Sequence, residues 1–467
     1  MNLKRNLQSI FTGIIALSVY YYYDANPYFA IAVGTFFFSL HDLLLNLGNT
    51  LCIIESMIVM ATVMIGIMPI FGYKIYTEYE PIAFLWKWYM EVPYQQYYAF
   101  VNPCLLLMIV TNKLLASKYN NVNSLKLMIS EIRVHPKTNY QVGLLLIFIG
   151  IMSLLLNGHA GPLNYVVYLC QFLTVVGSLY IFNSGSKSRI FIFYSTFGFF
   201  FIKSVSGGMF NELIMISISV SALILLNKKV SIYIKYTAVV VAFCSVILLQ
   251  AVKPILRSRT WVNNGSMLTK YDSPIEKLLL FYNSAKFIII NRDKLLTRNN
   301  LYGIYFRFNQ GMILSKVMDH IPRRTGYYNG EGYFKKTMAI IIPRLFWPNK
   351  TTAGGRDNMK DYAGYSLGKT TSMNVGYAGE AYANFGAIEG LIFIAIYITI
   401  IILIIRKFLF LSVGYPHLLL FMPLIFYSSV ATETDSITVL TAVVKSSFFV
   451  YLVIKILKVF NYLPDRA

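Results

Sequence analysis

The residues best suited to chemistry lie between positions 253 and 385, where twenty Lys and Arg stand against eight Asp and Glu, a local charge of +12. Arg307, Arg323, Arg324, Arg344, Lys350 and Arg356 crowd the later half of that stretch. A guanidinium stays charged at any working pH and meets phosphate oxygens with two parallel hydrogen bonds, so arginines gathered in this way point to an anionic partner. Groups able to move a proton are scarcer there: Glu380, with His320 and Asp361 as weaker candidates. Trp347, Tyr327, Tyr328, Tyr333 and Tyr382 add flat faces with polar tips, a composition that also suits a belt at a membrane interface. Cys52, Cys104, Cys170 and Cys244 show neither CxxC nor Cys/His spacing. They read as small hydrophobes, and no metal site or disulfide framework is expected.

The elements that must position these residues are membrane helices. Of 467 residues 57% are apolar and only 13% charged, with a mean hydropathy of +0.58, a composition that excludes a soluble enzyme, a disordered chain and a secreted disulfide scaffold. Apolar runs near 8–23, 27–46, 50–72, 97–115, 141–157, 163–182, 189–203, 209–227, 234–252, 386–406, 416–430 and 437–457 predict about twelve transmembrane helices in an all-α polytopic protein. The first run reads as an uncleaved signal anchor. With the N-terminus inside, seventeen Lys and Arg fall on the cytoplasmic short loops and three on the opposite ones. Both termini are therefore expected in the cytoplasm. The sequence divides into an N-terminal membrane domain over 1–252, a large basic extracytoplasmic loop over 253–385, and C-terminal membrane helices over 386–467. Within the loop, 275–296 and 303–321 alternate apolar and basic residues at near-helical spacing and are expected to lie against the membrane.

The order of motifs resembles one family. An Arg-containing segment (Arg307), a Gly/Tyr-rich turn (Gly330 to Tyr333), Pro343-Arg344, Trp-Pro-x-Lys (Trp347 to Lys350) and Gly-Glu-x-Tyr-x-Asn-Phe-Gly (Gly379 to Gly386) follow one another as in the Wzy-type O-antigen or oligosaccharide repeat-unit polymerases. The detailed likeness covers about 307–390. The chain departs from the pattern at Thr351, where Pro is frequent, and over Ser204 to Gly208, where an Arg is common and Lys203 or Glu212 would have to serve. The resemblance implies a GT-C-like membrane glycosyltransferase of the bacterial inner membrane. It would move a growing glycan from undecaprenyl pyrophosphate to a second lipid-linked oligosaccharide unit, with membrane lipid, a chain-length regulator and a flippase as partners, no nucleic acid and no cofactor.

Under that reading Arg344, preceded by Pro343 with its fixed φ, is a preorganised clamp for the departing pyrophosphate. Arg356, Lys350, Arg307, Arg323 and Arg324 would hold the substrate. Glu380 would take the acceptor's proton, with Tyr382 and Asn384 beside it, and Trp347, Tyr333 and Tyr382 would meet sugar rings. Lys445, inside the last span, would either help to hold the pyrophosphate or form a structural ion pair, for which Glu433 and Asp435 are nearest in sequence. An O-antigen ligase shares the layout and differs only in acceptor. A flippase would require paired halves, which this sequence does not display. A metal-dependent glycosyltransferase is kept alive only by Glu78-x-Glu80 and Glu433-x-Asp435.

Overall fold

A computed structural model of the chain describes residues 2–22, 25–156, 160–208, 210–226, 228, 230–260, 273–291, 293, 297–331, 333, 336, 355–368 and 373–463. Among the described residues the fold is helical, with no β-strand. Eight helices among the described residues are long and apolar enough to cross a membrane: Pro27–Asn46, Ile53–Lys74, Pro136–Leu156, Asn164–Asn183, Arg189–Gly207, Ile232–Thr260, Ile388–Gly414 and Ser436–Val459. The other four expected spans are helical, over Asn2–Tyr22, Tyr94–Leu114, Asn211–Leu225 and Leu418–Phe426, but fall short of that length or apolarity.

Two features show how the sequence sets the packing. Pro136–Leu156 lies directly on Asn164–Asn183 because glycines remove the side chains that would separate them: a Cβ on Gly143 would fall 2.8 Å from the carbonyl of Gly177, and one on Gly177 2.5 Å from that of Gly143. In Ile53–Lys74 the turns over Thr62–Ile67 widen to a π-helix just before Pro69. Proline has no N–H to offer the carbonyl four residues back, and the hydroxyl of the buried Tyr97 donates to that Ile65 carbonyl instead, at 2.9 Å. Tyr98 donates likewise to Gly66, at 2.8 Å.

The basic stretch differs from its expected shape in two places. Ile232–Thr260 runs as one helix through residue 252, the expected domain boundary, with Pro254 inside it. Pro274–Ile290 begins at a Ser273/Glu276 capping box and packs on that helix through Leu280 and Ile288, leaving Ile275, Leu279 and Tyr282 exposed, as a membrane-facing helix would. The segment 303–321 is not one surface helix. It breaks at Asn309, whose side chain caps Met312, into Arg298–Phe308 and Gln310–His320. Every residue from Gln310 to Met318 is buried, so this helix is wedged among its neighbours on all sides, and the expectation that it lies on the membrane surface is corrected. Gly311 permits the wedge, since a Cβ there would fall 2.4 Å from Pro69 Cγ and 2.2 Å from the Tyr97 hydroxyl.

Candidate functional site

The Gly376–Phe385 helix and the turn that opens Ser436–Val459 meet in a corner that encloses two carboxylates. Glu380 and Asp435 are both fully buried. Glu380 Oε2 accepts from the Ser436 amide at 2.8 Å and from its hydroxyl at 2.6 Å, so an acid from another helix occupies the positive N-terminus of the last one. Asp435 Oδ1 accepts from the Gly376 amide at 3.0 Å, and Oδ2 from Asn358 Nδ2 at 2.9 Å. Asn358 in turn accepts from Lys336 Nζ at 2.9 Å, and that ammonium stands 5.4 Å over the Tyr362 ring. The Tyr333 hydroxyl pairs with Ser436 Oγ at 2.9 Å.

Two acids facing one cation in a dry corner cannot both ionise cheaply. Burial raises the Glu380 carboxyl above its usual range, opposed by the Ser436 bonds and by Lys336. Burial and then the charge of Glu380 push Asp435 up to about 8, opposed by Asn358, Lys336 and the Gly376 amide. One proton held by the pair, with Lys336 charged, leaves the corner neutral.

Two residues before Asp435 the chain turns toward an open cavity of about 130 Å³, lined by Arg307, Asn309, Gln310, Asn374, Glu433 and Thr434 among others. Arg307 Nη2 meets Glu433 Oε1 at 3.4 Å, with both side chains partly exposed. Lys253 stands close enough to feel the charges of Arg257, Arg307 and Glu433. Arg257 itself donates to the Gly208 carbonyl at 3.2 Å. The wall between cavity and buried corner is thin: Gln310 Nε2 donates to the Asn374 carbonyl at 2.8 Å, and Gly376, two residues on, binds Asp435. Gly376 must be glycine, because its φ is +72° and a Cβ would fall 2.7 Å from the Thr432 carbonyl.

The structure brings some of the expected residues together and separates others. Arg307 reaches the cavity. Arg356 opens the Arg356–Ala363 helix, exposed, and a Cβ on the preceding Gly355 would lie 3.5 Å from Asn374 at the cavity wall. Arg323 and Arg324 do not join them. Both are exposed beyond the far end of Gln310–His320, and Arg323 pairs with Asp319 at 2.9 Å. His320 lies against Gly364, and burial lowers the imidazole below its usual value. Asp361 is exposed, with its carbonyl accepting from Tyr328.

Glu380 is enclosed and shut off from the cavity. Its expected partners are enclosed too: Asn384 donates to the Glu380 carbonyl at 2.8 Å and Tyr382 packs edge-on to Phe100 at 5.3 Å. Tyr333, half-buried, lodges against Phe393 at 5.3 Å. The expectation that Tyr382 offers its face to sugar is therefore corrected, because the helix carrying it is buried on every side. Tyr327, over Tyr382 at 6.0 Å, stays exposed.

Lys445 does not meet Glu433 or Asp435, since ten helical residues put about 15 Å between it and the turn. Its ammonium lies 5.1 Å over Tyr165. Lys203, considered for the hairpin over Ser204 to Gly208, pairs with Glu212 at 3.0 Å and with Gln171 at 2.8 Å. The carboxylate of Glu80 is engaged by Arg298, and Glu78 is exposed. Among the described residues no three His, Cys, Asp or Glu side chains gather as a metal site would need. Arg344, Trp347 and Lys350 lie outside the described residues.

Lys336, Asn358, Tyr362 and Ser436 were not legible as site residues. The only local hint was Tyr333-x-x-Lys336, which places two polar side chains one helical turn apart. No family model, curated protein or solved structure matches the chain at a significant level.

Proposed function

We propose that the protein is a membrane glycosyltransferase that lengthens a glycan carried on a polyprenyl pyrophosphate, as its motif order implies. The observation that carries this is the Arg307–Glu433 pair at an open cavity, backed by Lys253 and Arg257 and set on a turn that two buried carboxylates hold in place. An incoming pyrophosphate is a better partner for Arg307 than a single carboxylate, because it offers more oxygens and more charge. Its arrival frees Glu433, the one carboxylate among the described residues of the cavity wall.

The acceptor hydroxyl oxygen then forms a bond to the anomeric carbon. The bond from that carbon to the pyrophosphate oxygen breaks, and its electron pair leaves on the lipid pyrophosphate. Glu433 takes the hydroxyl proton and passes it to water. Arg307 faces the charge that develops on the leaving group, joined by Lys253 and Arg257 through the field they share. Glu380 and Asp435 are positioning residues here. Arg344 keeps its proposed place as the second clamp.

The test is incubation of the purified protein with one synthetic lipid-linked repeat unit. A ladder of lengthened lipid-linked glycans is expected. Product only when a lipid A core is supplied would make the protein a ligase, and no product with either acceptor would end the proposal. Arg307→Ala should slow chain growth ~10²-fold or more, the usual cost of removing an oriented donor from a preorganised site. Arg307→Lys should recover only part, since an ammonium lacks the fork. Arg323→Lys should leave the rate unchanged.

A further inference from the structure

At the end of the bundle away from Glu380 lies a second cavity, far larger than the first. The two ends are set by the Ile388–Gly414 helix, which starts just after Gly386 beside the buried corner and is about 40 Å long. It ends next to Tyr415 and His417, and His417 stacks on Tyr180 at 5.6 Å, three residues before the cavity wall at Asn183. The cavity measures about 980 Å³. Lys126, Arg133, Arg189 and Lys228 line it, and among the described residues no Asp or Glu does. Among the described residues none of the four forms an ion pair.

Arg133 is held in place rather than loose. Its Nε donates to Asn183 Oδ1 at 3.1 Å, and the buried Asn183 is fixed by donating to the Leu179 carbonyl at 2.9 Å. Lys228 stands 5.8 Å over Phe182, which lines the same space. Four like charges around one space repel each other and destabilise the empty site unless an anion offsets them.

We infer that this cavity binds the phosphate headgroup of an anionic membrane lipid. Phosphate is the shared chemistry of two sources, a lipid headgroup and a free phosphate or pyrophosphate. The lipid is favoured by what surrounds the cations. Leu127, Val134 and Ile190 are more than half exposed at the same cavity, at 66%, 64% and 55%. The cavity also opens where Pro136–Leu156, Asn164–Asn183 and Arg189–Gly207 end or begin, so acyl chains leaving it would run along three candidate membrane spans. A basic pocket between helix ends with apolar flanks suits an amphiphile with a charged head.

The experiment uses the full chain, delipidated in detergent and returned to phosphatidylcholine nanodiscs with or without phosphatidylglycerol, with bound lipid read by native mass spectrometry. Retention of phosphatidylglycerol is expected. Each cation near a headgroup contributes about fivefold, so Arg133→Gln with Arg189→Gln should weaken retention roughly thirtyfold. Pyrophosphate added alone should not displace the lipid. Wild-type protein supplies an independent check, because salt approaching ~1 M, where the Debye length shrinks to about 3 Å, should release the lipid. Equal retention by the folded double variant, or retention indifferent to salt, would overturn the inference. Displacement of bound phosphatidylglycerol by added pyrophosphate would overturn the lipid assignment in favour of a soluble anion.

Discussion

Glu380 and Asp435 show how one charge too many becomes a dependence on pH. Both carboxyls are raised by burial, Asp435 to about 8, so the folded corner binds a proton that the unfolded chain has already lost near neutrality. A folded-state pKa above the unfolded one gives stability that is complete below the unfolded value and lost as pH rises through the folded value. Melting temperature should therefore fall between pH 7 and pH 9, by the equivalent of about 1.4 kcal/mol for one such group. Glu380→Gln keeps an oxygen for Ser436 and removes one of the two competing charges. It should flatten that fall and leave the protein more stable than wild type at pH 9. A steeper fall in the variant, measured by thermal shift in nanodiscs, would show that the two acids do not share a proton. If Glu380 only positions the turn, Glu380→Gln also keeps most of the chain-growth rate, whereas Glu433→Gln loses it.

At the scale of elements, three residues far apart in sequence decide whether Gln310–His320 can enter the bundle. Pro69 leaves the Ile65 carbonyl without its helical donor, Tyr97 supplies one, and Gly311 gives the room for both. Tyr97→Phe leaves a buried carbonyl unpaired and should cost about 1–3 kcal/mol. Gly311→Val meets the proline ring and the tyrosine hydroxyl and should destabilise by a similar ~1–3 kcal/mol through overpacking. Because Gln310 lines the Arg307 cavity, Gly311→Val should also reduce chain growth in protein that remains folded. Tyr97→Phe should lower the melting temperature with a smaller effect on rate. Comparing melting curves with initial rates separates the two. A Gly311→Val protein with wild-type stability and rate would show that the helix has room to spare.

At the scale of the whole molecule, the proposed chemistry requires the basic stretch and the Arg307 cavity to face outward, with both chain ends in the cytoplasm. Lys360 and Lys187 are exposed and lie in segments assigned to opposite sides. With the four native cysteines replaced, Lys360→Cys should react with an impermeant maleimide in intact spheroplasts, and Lys187→Cys only after permeabilisation. The reverse pattern would invert the molecule. Such an inversion would move the Arg307 cavity to the cytoplasm and the large cationic cavity to the outer face.

The sequence by itself determined the class of molecule and much of its helical plan. Apolar runs of near-membrane length can satisfy their backbone only as helices, and that requirement is local. Arginine enrichment also marked the region of the site, and Arg307 and Glu380 both belong to its neighbourhood. Which groups share a corner was decided only by tertiary packing. Lys336, Asn358, Glu380 and Asp435 span a hundred residues, and their contacts run across helix faces that sequence spacing does not relate. Burial could not be read locally either. The basic pattern of 303–321 matches a surface helix, yet Gly311 and the break at Asn309 let Gln310–His320 pack on all sides. Glu433 and Asp435 make the same point within one short turn: alternate residues face opposite ways, one toward an open cavity beside Arg307 and the other into a dry corner beside Glu380. Nothing in the pair's spelling tells which is which, because the difference lies in the elements packed on either side.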